Sequence, residues 1–191
     1  TGGKGGGANG SALVALHEAM QVKITFEVRT AEVKMAASTQ ERLLQLLERS
    51  NQFNAWKRGV PPPLLDECEA PAMSVTDRYG VYGIVGAALC MRVPKGGGGG
   101  GEDGEEEGMV MRVVALAMSC RVLGRGAEHA LLARIGQLAT EGPRPCASVA
   151  VGLVPTERNE LVRRFLAAVD ASSPSSLTPG GAQETGQQQQ Q

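Results

Sequence analysis

The residues best placed to do chemistry in this chain fall in one short run, "SCRVLGRGAEHALLARI", residues 119–135. Arg121, Gly124, Arg125 and Gly126 stand there between an apolar run and a helix-like pattern. A strand passing through Arg-x-x-Gly-x-Gly into a helix leaves several backbone N–H groups without intrahelical partners. The glycines let another molecule approach that backbone, and the helix dipole with Arg121 or Arg125 favours negative charge. The spacing therefore predicts a phosphate cradle over Arg121, Val122, Leu123, Gly124, Arg125, Gly126 and Ala127. A bare strand-to-helix turn is the competing reading. A dinucleotide fingerprint fits poorly, because His129 stands where Gly-x-Gly-x-x-Gly needs its third glycine. The Gly-Lys pair in "TGGKGGGANGS" (residues 1–11) lacks Walker spacing.

Other chemistries find little support. Cys68, Cys90, Cys120 and Cys146 show no Cys-x-x-Cys spacing, and only His17 and His129 could join them in a metal site. Reduced, mostly buried thiols in a cytosol-like compartment are expected, with no bound metal. Cys120 is read as a small buried residue rather than a nucleophile, since no histidine is predictably placed to activate it. His129 is read as a surface residue. The net charge of −1 carries no nucleic-acid or membrane-binding footprint. No apolar run approaches the roughly 18 residues of a membrane span, and no signal peptide is visible. The chain begins at Thr1 rather than Met, and is read as a piece of something longer.

The elements that must position the glycine motif can be read from periodicity. "QVKITFEV" (residues 21–28) alternates Val22, Ile24, Phe26 and Val28 with polar residues, the pattern of a half-buried strand. Ser38 and Glu41 form a candidate capping box before a helix carrying Leu43, Leu44, Leu46 and Leu47. Two strands joined near Tyr79-Gly80 follow, then a largely apolar central strand over residues 109–119. The next helix puts Leu131, Ile135 and Leu138 on one stripe and ends near Gly142-Pro143. "ASVAVGLV" is a further strand, and Thr156 is expected to cap a last helix with Leu161, Phe165 and Val169 inward. This order predicts an α/β domain with a mixed sheet over residues 20–169. A Gly-rich leader (1–11, within a segment 1–19 that also holds the start of the domain), a Gly/Glu insertion at a hairpin tip (95–108) and a Ser/Pro/Gln tail (170–191) are expected to be unstructured.

In this strand–helix setting Arg121-x-x-Gly124-x-Gly126 resembles the pyrophosphate-binding motif of the GNAT acetyltransferase fold. "SNQFN" (Ser50 to Asn54), "DRYGVYGIVG" (Asp77 to Gly86), "SCRVLGRGAE" (Ser119 to Glu128) and "PTERN" (Pro155 to Asn159) together resemble the C-terminal acyltransferase-like domain of FkbH-like proteins. The resemblance implies a GNAT-like mixed sheet flanked by helices. It also implies binding of CoA or of the phosphopantetheine arm of an acyl carrier protein, and acyl or glyceryl transfer with an upstream haloacid-dehalogenase-like (HAD) domain. No Asp-x-Asp motif of such a domain occurs in this chain. The alternative is a catalytically degenerate module that docks the carrier arm.

The resemblance gives the remaining blocks candidate roles. Asn51, Gln52, Asn54 and Asn159 could contact substrate or pantetheine amides. Helix capping is the competing role for each, with Phe53 as an apolar plug, and Arg158 shares the alternatives of Asn159. Asp77 and Arg78 are expected to form an ion pair or a turn bond at a strand end. The sequence departs from the family in two ways. Phe165-Leu166 stands where the family has Phe-Tyr, and leucine cannot protonate a departing thiolate. The two strands that normally follow the last helix are not legible after Val169. No catalytic residue can be named from the sequence.

Overall fold

The computed structural model describes residues 19–57, 59–95, 108–142 and 144–172. In chain order the elements are β1 (Lys23–Arg29), α1 (Ala37–Arg49), a short α2 (Pro62–Glu67), β2 (Ala70–Asp77), β3 (Gly80–Pro94) and β4 (Met109–Met118). A single 3₁₀ turn (Cys120–Val122) leads to α3 (Ala127–Thr140), β5 (Cys146–Val151) and α4 (Glu160–Ala171). The strands form one sheet in the order β1-β2-β3-β4-β5. The first four are antiparallel neighbours and β5 runs parallel to β4. The expected mixed α/β sheet is thus present, with every legible strand and helix in the expected order. The leader, most of the Gly/Glu insertion and most of the tail lie outside the described residues. The insertion does sit at the β3–β4 hairpin, where Lys95 N–H donates to Gly108 O at 2.8 Å.

Each face of the sheet buries a separate apolar layer. On one, Leu43, Leu46 and Leu47 of α1 rest on Ala70, Ala72, Ala87, Ala115 and Ala117. Alanines under leucines let the helix settle close to the strands, and each buried leucine contributes about 1.5–3 kcal/mol. On the other face, Leu131, Ile135 and Leu138 of α3 and Val162 of α4 meet Met73, Val75, Val85, Met111 and Val113.

One irregularity in β4 decides how its far end is used. Leu89 pairs with Ala115 while Cys90 pairs with Val113, so Val114 is an extra residue, a β-bulge. The alternation of side chains flips there. Met111 and Val113 join the α3–α4 layer, Ala115 and Ala117 the α1 layer, and Leu116 and Met118 the α3–α4 layer again. The β4–β5 ladder stops at the same point, with Val113 opposite Val151 and Gly152 N–H donating to Val113 O at 2.9 Å. Beyond the bulge the two parallel strands part.

Three local expectations are corrected. Helix α1 begins at Ala37, and neither Ser38 nor Glu41 caps it. Glu27 on β1 does so instead, its carboxylate accepting from Ala36 N–H at 2.8 Å and from Thr39 Oγ1 at 2.7 Å. A cap supplied by a neighbouring strand has no local signature. Thr156 does not cap α4, which begins four residues later behind Asn159. Leu161 is 46% exposed, and Val162 takes the buried place on that helix with Phe165, Leu166 and Val169 half-buried.

Candidate functional site

Past Met118 the chain turns sharply through the glycine motif into α3. Gly124 and Gly126 both have φ of +76°, a left-handed conformation that favours glycine. A Cβ built on Gly124 would meet no atom within 4 Å, so the space above that backbone is open. Val122 and Ala127 are buried and anchor the loop, Leu123 and Gly126 are half-buried, and Arg121 and Gly124 are exposed. Arg121 Nε donates to Ser119 Oγ at 3.2 Å. Glu128, in the first turn of α3, accepts the Gly124 N–H at 2.5 Å. A carboxylate of the chain itself thus lies at the place that the helix start makes attractive to anions.

Arg125 turns away from the loop's open side. It donates to Asp77 Oδ2 at 2.9 Å and to the Tyr82 hydroxyl at 3.2 Å, with its guanidinium 5.4 Å from the Tyr82 ring centre. Asp77 closes the β2–β3 hairpin by accepting from Tyr79 N–H at 2.8 Å and Gly80 N–H at 3.2 Å, and accepts from the Tyr82 hydroxyl at 2.8 Å. Its side chain has no exposed surface. Burial opposes its ionisation, but the Tyr79 N–H, the Tyr82 hydroxyl, the Gly80 N–H and the Arg125 charge together hold the carboxyl below its usual value. Asp77 therefore makes the expected turn bonds, while its ion pair is with Arg125. Arg78 donates instead to Ala19 O at 3.2 Å.

The gap between β4 and the chain after β5 is filled by residues 53–55. Met118 N–H donates to Phe53 O at 2.8 Å, and Ala55 N–H donates to Leu116 O at 2.9 Å. On the opposite side Val154 N–H donates to Ala55 O at 2.8 Å. The segment pairs with β4 as an isolated antiparallel bridge at Asn54 opposite Ala117, and is held by two asparagines. Asn54 is fully buried. Its Nδ2 donates to Leu47 O at 2.6 Å and Ser50 O at 3.1 Å, closing the end of α1. Its Oδ1 accepts from Trp56 and Lys57 N–H at 3.0 and 2.9 Å. Asn159 is also fully buried; its Nδ2 donates to Asn54 O at 3.0 Å and Val154 O at 2.9 Å, and its Oδ1 accepts from Thr156 N–H at 2.9 Å. Neither amide presents an open face. Phe53 is buried beside Phe165, ring centres 5.5 Å apart.

Asn51 and Gln52 are exposed, and both line a cleft of about 800 Å³. It lies between the end of α1, the end of β4 and the start of α4, and reaches Ser119 and Cys120 at the entry to the glycine loop. Cys120 is exposed, which corrects the expectation of a buried thiol. The 3₁₀ turn rotates it off the sheet, and Val122 takes the core position. Cys68, Cys90 and Cys146 are buried as free thiols. His129 is exposed on α3, 5.0 Å edge-on from Phe165. Among the described residues no group of His, Cys, Asp or Glu is placed to hold a metal ion, and no helix is long and apolar enough to cross a membrane. Sequence reasoning passed over Arg42, Arg49 and Arg164, which line the cleft together with the already considered Arg158. The seven-residue spacing of Arg42 and Arg49 puts them on one helix face and was the available signal.

A mixed sheet whose parallel β4 and β5 part beyond a bulge, with a glycine turn opening a helix after β4, is an α/β architecture of the GNAT-like fold. In fold the chain is similar to an aminoglycoside acetyltransferase from an uncultured soil metagenomic sample, with a TM-score of 0.51 and 16% identity over 88% of this chain and 99% of that one. A ribosomal-protein-alanine N-acetyltransferase from Brucella melitensis has a TM-score of 0.47 at 14% identity, over 87% of this chain and 99% of its own. For a glucosamine-6-phosphate N-acetyltransferase from Arabidopsis thaliana the TM-score is 0.45 at 12% identity, over 84% and 99%. No protein-family model and no curated protein matches the chain. Identities this low speak for the fold alone.

Proposed function

We propose that this chain is an FkbH-like acyltransferase domain that binds CoA or the phosphopantetheine arm of an acyl carrier protein, in a cytoplasmic setting. The supporting observation is the meeting of the four sequence blocks at one end of β4. The Asp77 block joins the glycine block through the Asp77–Arg125 ion pair. The Asn54 block joins the Asn159 block through a hydrogen bond that links positions 105 residues apart. The open space over Gly124 fits a phosphate drawn close to the backbone, with Arg121 as the exposed cation beside it. Glu128 must release the Gly124 N–H for that contact. Asn51 and Gln52 offer exposed amides to the ligand, while Asn54 and Asn159 act as positioning residues. An acylated CoA or carrier arm would supply the activated thioester in such a reaction; the chain's own part is to bind and orient it. An upstream HAD-like domain belongs to the same reading.

The second reading, a carrier-arm docking module without turnover, is favoured by two features. Leu166 lies half-buried against the core where the related family has tyrosine, so α4 offers no proton donor there. Segment 53–55 also takes the Met118 N–H at the end of β4, so that backbone donor is not free to stabilise a developing oxyanion. Calorimetric titration with CoA and with a phosphopantetheinylated carrier protein, paired with chromatographic measurement of acetyl-CoA consumption, separates the readings. Binding without consumption is expected of the unmodified chain. A gain of tenfold or more in Leu166→Tyr with unchanged CoA affinity would mark a lost general acid, a group usually worth about 10²–10⁴-fold. Brisk turnover by the unmodified chain would remove the docking reading. Absence of binding both to CoA and to a phosphopantetheinylated carrier protein would remove both readings.

A further inference from the structure

The geometry points to a small anion, carrying carboxylate or phosphate groups, as the occupant of the cleft between α1 and α4. Four guanidinium groups line it, those of Arg42, Arg49, Arg158 and Arg164, against the two carboxylates of Glu157 and Glu160. Outside the cleft the half-buried Arg29, Arg92 and Arg125, and Arg134 on α3, are each matched to a carboxylate within 3.0 Å, whereas the exposed Arg112, Arg121 and Arg163 have no such match among the described residues. Among the described residues, the one cleft arginine so matched is Arg164, to Glu160 at 2.6 Å. Arg42 bonds only the side-chain amide of Gln45, at 3.3 Å. Arg42 is half-buried and Arg49, Arg158 and Arg164 are exposed, and four arginines against two glutamates leave this concavity with an excess of positive charge. Glu160 is matched to Arg164 and Glu157 adjoins Arg158 in the chain, so the excess lies on the α1 side, around Arg42 and Arg49.

Such a field draws in an anion and opposes a polyamine, and a planar guanidinium meets carboxylate or phosphate oxygens through two parallel hydrogen bonds. The concave shape suits a small molecule better than a protein surface. Because the cleft reaches Ser119 and Cys120 at the head of the glycine loop, its occupant lies beside any ligand held by that loop. The assignment of that anion as the acyl-group or acceptor side rests on the function proposed above; the binding itself does not.

The test uses citrate and inorganic phosphate as probes and spermidine as the cationic comparison, titrated at low salt into the full chain without CoA. Citrate and phosphate are expected to bind, with spermidine inert and the affinity falling as salt rises. Arg49→Gln and Arg158→Gln should each weaken citrate binding roughly threefold, and together about tenfold, the scale of exposed ion pairs. Arg49→Lys should recover part of the loss. Gly124→Val should leave citrate binding intact while removing CoA binding, and the arginine variants should do the reverse, so failure of the cleft and failure of the loop are read separately. Melting temperatures of all variants establish that they are folded. No citrate or phosphate binding overturns the proposal, as does binding that ignores the arginine variants. Equal loss of CoA in those variants also overturns it, by assigning the cleft to CoA phosphates. So does capture of an acidic protein with no response to the small anions.

Discussion

Exposure separates the four cysteines into two kinds. Burial pushes the Cys68 thiol up to about 11, with Glu67 adding to the rise and Arg29 opposing it. Burial likewise raises Cys90, helped by Glu69. Only Cys120 meets solvent. Iodoacetamide applied to the native chain is therefore expected to modify Cys120 alone, and mass spectrometry of the peptides checks this; early labelling of Cys68 or Cys90 would contradict the buried positions. Asp77 gives a second prediction. Its folded carboxyl lies below the ordinary value of 3.8, so its stabilising effect is fully present above that value and is lost as pH falls through the folded one. Asp77→Asn should lower the melting temperature at pH 7. It should also flatten the loss of stability below about pH 4, because no charge remains there to be neutralised.

Among the elements, the internal segment 53–55 depends most on single side chains. Asn54→Ala leaves the Leu47 and Ser50 carbonyls and the Trp56 and Lys57 N–H groups without their partner, and should cost about 2–3 kcal/mol in chemical denaturation. A change under about 0.5 kcal/mol would mean that water replaces the amide. Gly124→Val forces a β-branched residue to a φ of +76°, a strain of roughly 1–2 kcal/mol without any clash of its Cβ. The elements themselves were legible because their signals are local. Period-two alternation marked β1, and the leucine stripe marked α1. The turn chemistry of Asp77 and the glycines of the α3 start were equally readable. What stayed hidden was supplied from far along the chain. Glu27 reaches α1, and Arg92 reaches the carbonyls of Leu138, Ala139 and Arg144 at the end of α3. Neither leaves a mark near the helix it serves. Nor does any short-range pattern reveal that Val114 is a bulge, since an extra residue in a strand reads as one more apolar residue. The candidate site was half legible: its glycine loop from spacing, its arginine cleft only once α1 and α4 were brought together.

For the whole molecule, the β3–β4 junction predicts tolerance to shortening. Lys95 and Gly108 are already joined by a hydrogen bond, so replacing residues 96–107 with a tight turn should move the melting temperature little. A fall of many degrees would show that the replaced residues contribute to the fold. The internal segment has a different consequence, for the order of assembly. Residues 53–55 bond forward to Leu116 and Met118 and then to Val154, while Asn159 reaches back across 105 residues to Asn54. Strand β4 can pair with β3 as a hairpin early, but the stretch from Val154 into α4 has no complete docking surface until α1 and its following turn are seated. The closing contacts are therefore those of largest sequence separation, which carry the greatest loop-closure cost and slow the search. In pulse-labelled hydrogen exchange, amide protection in α4 should arise after protection in β3 and β4. A ribosome-bound chain would hold the first four strands ready and wait for its last helix.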